Sequence, residues 1–88
     1  MRFSKELVSI PSNADLKTTT KGGVRACVFR VLQDKYVFFC VCYYPLSESF
    51  LKEINKGDQI YIWGNIEMFH VDGNHNYRWI IDEFKKAN

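Results

Sequence analysis

The stretch that decides the fold is residues 56–69, KGDQIYIWGNIEMF, which starts with the turn-forming pair Gly57-Asp58 and then alternates strictly. One alternate set is mainly aliphatic: Ile60, Ile62, Gly64, Ile66 and Met68. The other set is largely aromatic and polar: Tyr61, Trp63, Asn65, Glu67 and Phe69. A period of two over this length predicts a long β-strand with one buried face. Glycine on the inward side permits a bend or a close backbone approach, and the outward rings indicate a small barrel that binds something flat.

The length of 88 residues predicts a single domain, residues 1–88, in which residues 85–88 are a short polar tail. The net charge of +2 permits nucleic-acid binding without arguing for it. An odd number of cysteines, Cys27, Cys40 and Cys42, lies in apolar runs, which is typical of buried free thiols in a reducing compartment. The longest apolar run, residues 36–46, is shorter than the roughly 20 residues of a membrane-spanning helix. We therefore expect a cytoplasmic protein that does not enter membranes.

The rest of the chain predicts four further strands and one helix. The strands are residues 3–10, 24–32, 36–44 and 76–84, and the loop 12–23 can extend a β-ribbon because threonine suits strands. The helix covers residues 47–55, with Ser47 as its N-cap, Glu48 in its first turn and Gly57 near its end. Five strands with a helix between the third and fourth predict an all-β OB-fold barrel. A small β-sandwich with an inserted helix is the alternative.

The second strand leaves its inward face undecided, because each face carries one arginine. Arg25, Cys27, Phe29 and Val31 share one face, and Val24, Ala26, Val28, Arg30 and Leu32 share the other. The third strand is apolar on both faces, so either both faces are covered or one is a functional aromatic surface.

Several segments resemble the bacterial single-stranded DNA-binding protein family and its primosomal replication protein relatives. Residues 56–66 are similar to the family's lysine-glycine, valine-tyrosine-isoleucine, glycine-x-leucine strand, and Gly22-Gly23 matches its glycine pair. Residues 42–48 resemble the end of its third strand, which places Tyr43 where a phenylalanine stacks on DNA. The resemblance implies an OB-fold that binds single-stranded DNA and forms homodimers or homotetramers. Short hairpins and the ending Lys-Lys-Ala-Asn, without an acidic tail, depart from the family and imply a small footprint.

The predicted nucleic-acid-binding residues combine rings that stack on bases with cations that hold phosphates. If the family's register holds, Phe29, Phe39 and Tyr43 share the binding face, and Arg25 shares its strand face with Phe29. The complete predicted set is Tyr43, Phe39, Phe29, Tyr61, Trp63, Arg25, Lys17, Lys21 and Lys35. Two alternatives stay open: Phe29 and Phe39 are core residues, or Tyr61 and Trp63 pack against a second subunit.

Chemistry beyond binding has little support in the sequence. Cys40 and Cys42 lie on one strand face and lack zinc-finger spacing, so neither a metal nor a cofactor is predicted. No nucleophile–base pattern or phosphate-binding glycine loop is present, so the protein is not expected to be an enzyme. We expect a sequence-tolerant binder of single-stranded DNA, or of RNA, that is an accessory in replication, recombination or transfer. The alternative is an OB-fold interaction subunit of a replication complex without strong nucleic-acid binding.

Overall fold

The computed structural model describes residues 1–11, 17–21 and 23–87, with only the backbone of residues 17–21. Six strands and one helix follow in the order β1 (Arg2–Ser9), β2 (Lys17–Lys21), β3 (Val24–Gln33), β4 (Tyr36–Tyr43), α1 (Leu46–Glu53), β5 (Gln59–Val71) and β6 (Asn74–Lys86). All five predicted strands and the helix are present. The additional strand, β2, is the β-ribbon predicted within the loop 12–23.

The strands close into a ring. The sheet order is β1-β5-β6-β4-β3-β2, and β1 also pairs with β3 through Ser9 and Leu32. Strands β4 and β6 are parallel, with Cys40 beside Trp79, and the other pairs are antiparallel. The ring therefore consists of β1, β3, β4, β6 and β5, with β2 added at the edge of β3. This is the predicted OB-fold, and the alternative β-sandwich is wrong.

Aromatic and aliphatic side chains fill the barrel. The ring of Phe29 stacks on that of Phe50 of the helix, with centroids 4.4 Å apart, and Phe84 meets Phe50 edge-on at 5.1 Å. Ile60 and Ile62 of β5 are fully buried beneath them. The helix therefore closes one end of the barrel with Phe50, and its apolar stripe is buried because the barrel would otherwise be open there.

The glycine in β5 marks a close approach between two backbones. A Cβ added to Gly64 would lie 1.9 Å from the carbonyl oxygen of Ile80, so no other residue fits without a backbone shift. The β5–β6 register slips at this point, between Trp63 and Gly64, as at a β-bulge. This confirms the predicted role of the glycine. Met68, predicted to face inward, is 51% exposed because β5 continues beyond the end of the barrel.

A second irregularity explains why the first strand shows no clean apolar face in the sequence. The β1–β5 register shifts between Phe3 and Glu6, and Lys5 there adopts a φ of 50°. One extra residue reverses the alternation. The buried residues therefore change from an odd position, Phe3, to even positions, Val8 and Ile10.

The predicted helix caps are wrong. Pro45 is the N-cap residue, without a side-chain hydrogen bond, and Ser47 lies buried inside the first turn. The helix ends at Glu53, where the N–H of Ile54 donates to the carbonyl oxygen of Phe50. Gly57 does have a positive φ, 90°, but it belongs to the following turn and not to the helix end.

Candidate nucleic-acid interface

The register between β3 and β4 decides which side chains face outward. Residues directly opposite each other in an antiparallel pair point to the same side of the sheet. The inward pairs are Cys27–Cys42, Phe29–Cys40 and Val31–Phe38, and the outward pairs are Val28–Val41, Arg30–Phe39 and Leu32–Val37. This settles the orientation that the sequence left open.

The outward residues form a surface that we call the aromatic face: Arg30, Leu32, Val37, Phe39 and Tyr43. The side chains of Val37 and Phe39 are 55% and 58% exposed, and Arg30, directly across the strand pair from Phe39, is also exposed. Tyr43 is half-buried at the far end of the same face, opposite Ala26. A flat ring and a guanidinium group thus lie side by side on neighbouring strands, which is the combination that holds unpaired bases and their phosphates.

Strand β6 extends this surface with a second arginine. Val41 of β4 pairs with Ile80 of β6, and the two strands are parallel. Phe39 and Arg78 each lie two residues earlier, so they are neighbours as well. The guanidinium of Arg78 lies 5.2 Å from the ring centroid of Phe69 and 2.5 Å from Oε1 of Glu67. Neither Arg30 nor Arg78 is in the predicted set. Alternation along the strand shows that Arg30 shares a face with Val28 and Leu32. Only the pairing of β3 with β4 shows that this face is the exterior.

Phe29 does not belong to the aromatic face. It is 1% exposed and stacked on Phe50, and its partner across the strand pair is the buried Cys40. The prediction that Phe29, Phe39 and Tyr43 share one face is therefore wrong, because adjacent strand positions alternate between interior and exterior. The open alternative, that Phe29 is a core residue, is correct; for Phe39 the core alternative is wrong.

Arg25 lies at the other end of the barrel from Phe39. Its guanidinium sits 4.5 Å from the ring centroid of Tyr44, and Nη1 is 3.3 Å from Oε1 of Glu48 in the first turn of the helix. It shares the inward side of β3 with Phe29, as the alternation predicts, and emerges beyond the barrel. The structure therefore separates Arg25 from the aromatic face.

The three predicted lysines have different outcomes. Lys35 is exposed in the turn between β3 and β4, with Nζ 5.8 Å from the ring centroid of the exposed Tyr36. This puts Lys35 at the end of the aromatic face that carries Val37. The backbones of Lys17 and Lys21 pair with those of Val28 and Val24 in β3. Their side chains lie outside the described part of the structure, so their proposed phosphate contacts stay predictions.

Tyr61 and Trp63 belong to a separate surface, which we call the second face: Lys5, Leu7, Tyr61, Trp63 and Lys85. Both rings are half-buried on the outward side of β5, and β6 lies between β5 and β4. The ammonium of Lys5 lies 5.3 Å from the ring centroid of Tyr61, and Glu83 is opposite Trp63. The predicted rings that lie outside the barrel are thus divided between two surfaces, with Phe39 and Tyr43 on the aromatic face and Tyr61 and Trp63 on the second face.

The cysteines are buried free thiols, as predicted. Burial raises the pKa of Cys42 to about 12, with a smaller contribution from the neighbouring Cys27, and raises the pKa of Cys40 as well. Thiols held protonated in this way are poor nucleophiles and poor metal ligands. Within residues 1–11 and 23–87, no three His, Cys, Asp or Glu side chains are grouped so as to hold a metal ion. His70 and His75 do form a ring contact across the β5–β6 hairpin, 4.5 Å between centroids.

Together, the ring of strands and the aromatic face define a small OB-fold barrel with an exposed aromatic and cationic sheet surface. No protein-family model matches this chain, and no curated protein matches it. Among the described residues, no helix is long and apolar enough to cross a membrane.

Two solved structures are similar over almost the whole chain. One is the small single-stranded DNA-binding protein of Streptomyces coelicolor, with a TM-score of 0.63, 12% identity, and coverage of 99% of this chain and 94% of that chain. The other is the mitochondrial single-stranded DNA-binding protein of S. cerevisiae, with a TM-score of 0.54, 17% identity, and coverage of 99% and 97%. At these identities the likeness shows the fold, and it agrees with the fold implied by the family resemblance of residues 56–66.

Proposed function

We propose that this protein binds single-stranded DNA with little sequence preference, with bases stacked on Phe39 and Tyr43. Arg30 beside Phe39 and Lys35 in the adjoining turn contact the phosphates. The observation that carries the proposal is the 58% exposure of Phe39 next to the exposed Arg30 on the outside of β3 and β4. The two structural neighbours, both single-stranded DNA-binding proteins by name, support the same function.

The energetics of stacking explain why rings on the outside suit this function. An exposed apolar pair on one strand face, such as Val37 and Phe39, marks an interaction surface more often than a chance exposure. Stacking one base on one aromatic ring contributes about 1–3 kcal/mol and tolerates every base, because all bases have a flat face. With few cations on the face, the electrostatic part of the affinity is small, so rings supply most of the binding free energy.

Fluorescence anisotropy of a labelled oligo-dT, titrated with the protein at several salt concentrations, tests the proposal. We expect saturable binding that weakens as salt rises, and much weaker binding to the matching duplex, because paired bases cannot stack on Phe39. Absence of any binding at micromolar protein would rule the proposal out. Matched oligo-dT and oligo-U distinguish DNA from RNA, since a site that reads the 2′-hydroxyl prefers RNA.

Self-association is the proposed role of the second face. Strand β1 pairs with β5 between Arg2 and Ser9, and it pairs with β3 at Ser9. Among the described residues, no other strand lies along that second edge of β1, where the Gln33 side chain bonds the Leu7 carbonyl. The exposed Leu7 and the half-buried Tyr61 and Trp63 adjoin that edge. An open edge beside apolar side chains favours a second copy of the chain, and a homodimer would double the DNA-binding surface.

Sedimentation of the wild type and of Trp63→Ala, each with and without oligo-dT, separates the two roles of the second face. A subunit contact predicts that the substitution shifts the dimer towards monomer while each monomer still binds DNA. A monomeric wild type would exclude the dimer. Loss of DNA binding without a change in mass would instead show that Trp63 contacts the ligand.

We further propose that the protein is an accessory in replication, recombination or transfer, with replication proteins as further partners and no catalytic activity of its own.

A further inference from the structure

A cavity of about 530 Å³ opens at the end of the barrel where the β3–β4 and β5–β6 hairpins lie. We call it the end cavity, and it is lined by Met1, Phe38, Ile66, His75, Asn76, Tyr77 and Trp79. Its volume lies within the range of about 300–1,000 Å³ typical of small-molecule sites. None of its lining residues belongs to the aromatic face.

The floor of the end cavity is apolar and its mouth is polar. Trp79, 8% exposed, stacks on Phe38 with centroids 4.5 Å apart, and Phe3 from the core lies tilted against it at 4.8 Å. At the mouth, Tyr77 is 61% exposed and His75 is also exposed. A hydroxyl and an imidazole therefore stand at an opening whose base is aromatic. A planar heterocycle with hydrogen-bonding edges matches both parts, whereas an aliphatic ligand would leave the polar mouth unused.

Two rings of β6 have different roles in the end cavity. Tyr77 and Trp79 are two residues apart on the same side of the strand, which separates their side chains by about 6.8 Å. Because Phe38 and Phe3 already pack against Trp79, the exposed Tyr77 is the ring on which a flat ligand stacks, and Trp79 and Phe38 form the floor beside it. Both Tyr77 and Trp79 line the cavity.

The end cavity adjoins the aromatic face. Phe38 lines the cavity, and its neighbours Val37 and Phe39 lie on the aromatic face, so one strand, β4, separates the two surfaces. The exposed Tyr36 and Val37 form the edge between them. A nucleic-acid strand that crosses Phe39 needs only to pass this edge for one of its bases to reach the cavity.

We infer that the end cavity accepts a single unpaired nucleobase, turned out of the bound strand, stacked on Tyr77 and resting against the floor of Trp79 and Phe38. This inference rests on the proposed function and adds to it: the aromatic face holds successive bases without selection, whereas the cavity takes one base at one defined position. Edge contacts from His75 and Tyr77 make that position the place where base identity affects affinity.

The emission of Trp79 tests the inference directly. The chain has two tryptophans, so Trp63→Phe leaves Trp79 as the sole reporter. Oligo-dT is titrated into this variant while anisotropy of a label on the DNA records the bound fraction independently. We expect Trp79 emission to change in proportion to the bound fraction, and the change to disappear with an oligonucleotide that is abasic at one internal position. Full binding with unchanged Trp79 emission would overturn the inference and leave the proposed function intact, whereas no binding would overturn both.

A scan of abasic positions provides a second test. In the wild type, removing the base that occupies the cavity lowers affinity about 5- to 100-fold, the equivalent of one stacked base. In Tyr77→Ala that position loses its effect and the others keep theirs, while Tyr77→Phe preserves the pattern. Tyr44→Ala, an exposed ring at the opposite end of the barrel, is the matched control. A uniform loss at every position in Tyr77→Ala would contradict a cavity site.

Discussion

Phe29 and Phe39 lie on adjacent strands of one sheet, yet they occupy opposite environments. Phe29 is 1% exposed against Phe50, and Phe39 is 58% exposed beside Arg30. Since Phe29 pairs with Cys40 and Arg30 with Phe39, a single residue of register separates the two. Phe29 therefore stabilises the barrel from inside, whereas Phe39, whose partner Arg30 is the next residue after Phe29, is available to a ligand.

The comparison shows that aromatic content alone does not locate a binding surface. An aromatic ring gains free energy both by packing inside and by stacking on a base outside, so the residue type does not tell the two environments apart. The variants below separate the contributions of Phe29 and Phe39 to stability and to binding, starting with the largest expected effect.

Phe29→Ala is expected to lower the free energy of unfolding by about 3–5 kcal/mol, because it leaves a cavity against Phe50 that the rigid barrel cannot close. Urea denaturation followed by circular dichroism measures this loss. Phe39→Ala is the matched control and should unfold within about 0.5 kcal/mol of the wild type, as exposed substitutions usually do. Equal losses in the two variants would refute the distinction between core and aromatic face.

Phe39→Ala is expected to weaken oligo-dT binding by about 1–3 kcal/mol, the contribution of one stacked base. Anisotropy titration at fixed salt gives the affinity. Tyr44→Ala, which also removes an exposed ring but far from the aromatic face, should bind like the wild type. If Phe39→Ala retains full affinity, the ligand does not cross β4.

Arg30→Gln is expected to act through salt dependence more than through stacking. For a single-stranded ligand, losing one phosphate contact reduces the slope of log K against log salt by about 0.7. Titrations at four or more salt concentrations measure the slope. Lys52→Gln removes an exposed cation from the helix, away from the aromatic face, and serves as the control. An unchanged slope in Arg30→Gln would place the phosphates elsewhere.

Asp58 should make a small, acid-sensitive contribution to the barrel and none to binding. Its carboxylate accepts the Asn55 N–H at 2.8 Å and lies 3.4 Å from Nζ of Lys86, contacts that lower the pKa of Asp58 below its ordinary value. Because the folded-state pKa is the lower one, the contribution is complete above the ordinary aspartate pKa and is lost as pH falls through the folded value. Thermal unfolding from pH 7 to pH 2 should therefore show a steeper decline for the wild type than for Asp58→Asn. Parallel declines would show that these contacts are too weak to matter.

Most of the fold could be predicted because its signals are local. The alternation of residues 56–69 and the turn-forming pair Gly57-Asp58 each act within a few residues of chain. The helix caps were predicted wrongly because tertiary packing overrides the local signal. Ser47 has the side chain of a typical N-cap, but it packs against the barrel and lies inside the first turn. In β1, the bulge near Lys5 hides an apolar face that strict alternation cannot display.

The candidate site was less predictable because it depends on pairing between distant strands. Phe39 and Tyr43 were predicted from the family resemblance and Lys35 from its charge in a connecting turn, whereas Arg30 and the end cavity were not predicted. Whether Phe29 or Arg30 faces outward follows from the β3–β4 register and from which side of the sheet the helix covers. Tyr77 and Trp79 line a cavity only because β6 runs parallel to β4 and brings Phe38 beside them.

By itself, the sequence determined a small all-β barrel with one helix, a glycine at its tightest backbone contact, buried thiols and more rings than one core requires. These properties follow from alternation, turn chemistry and composition, all of which act over short distances. The tertiary structure alone decided which rings are inside, which cation stands beside Phe39, and where a cavity opens. The physical reason is that a strand presents both faces equally, and only closure of the ring makes one of them the interior.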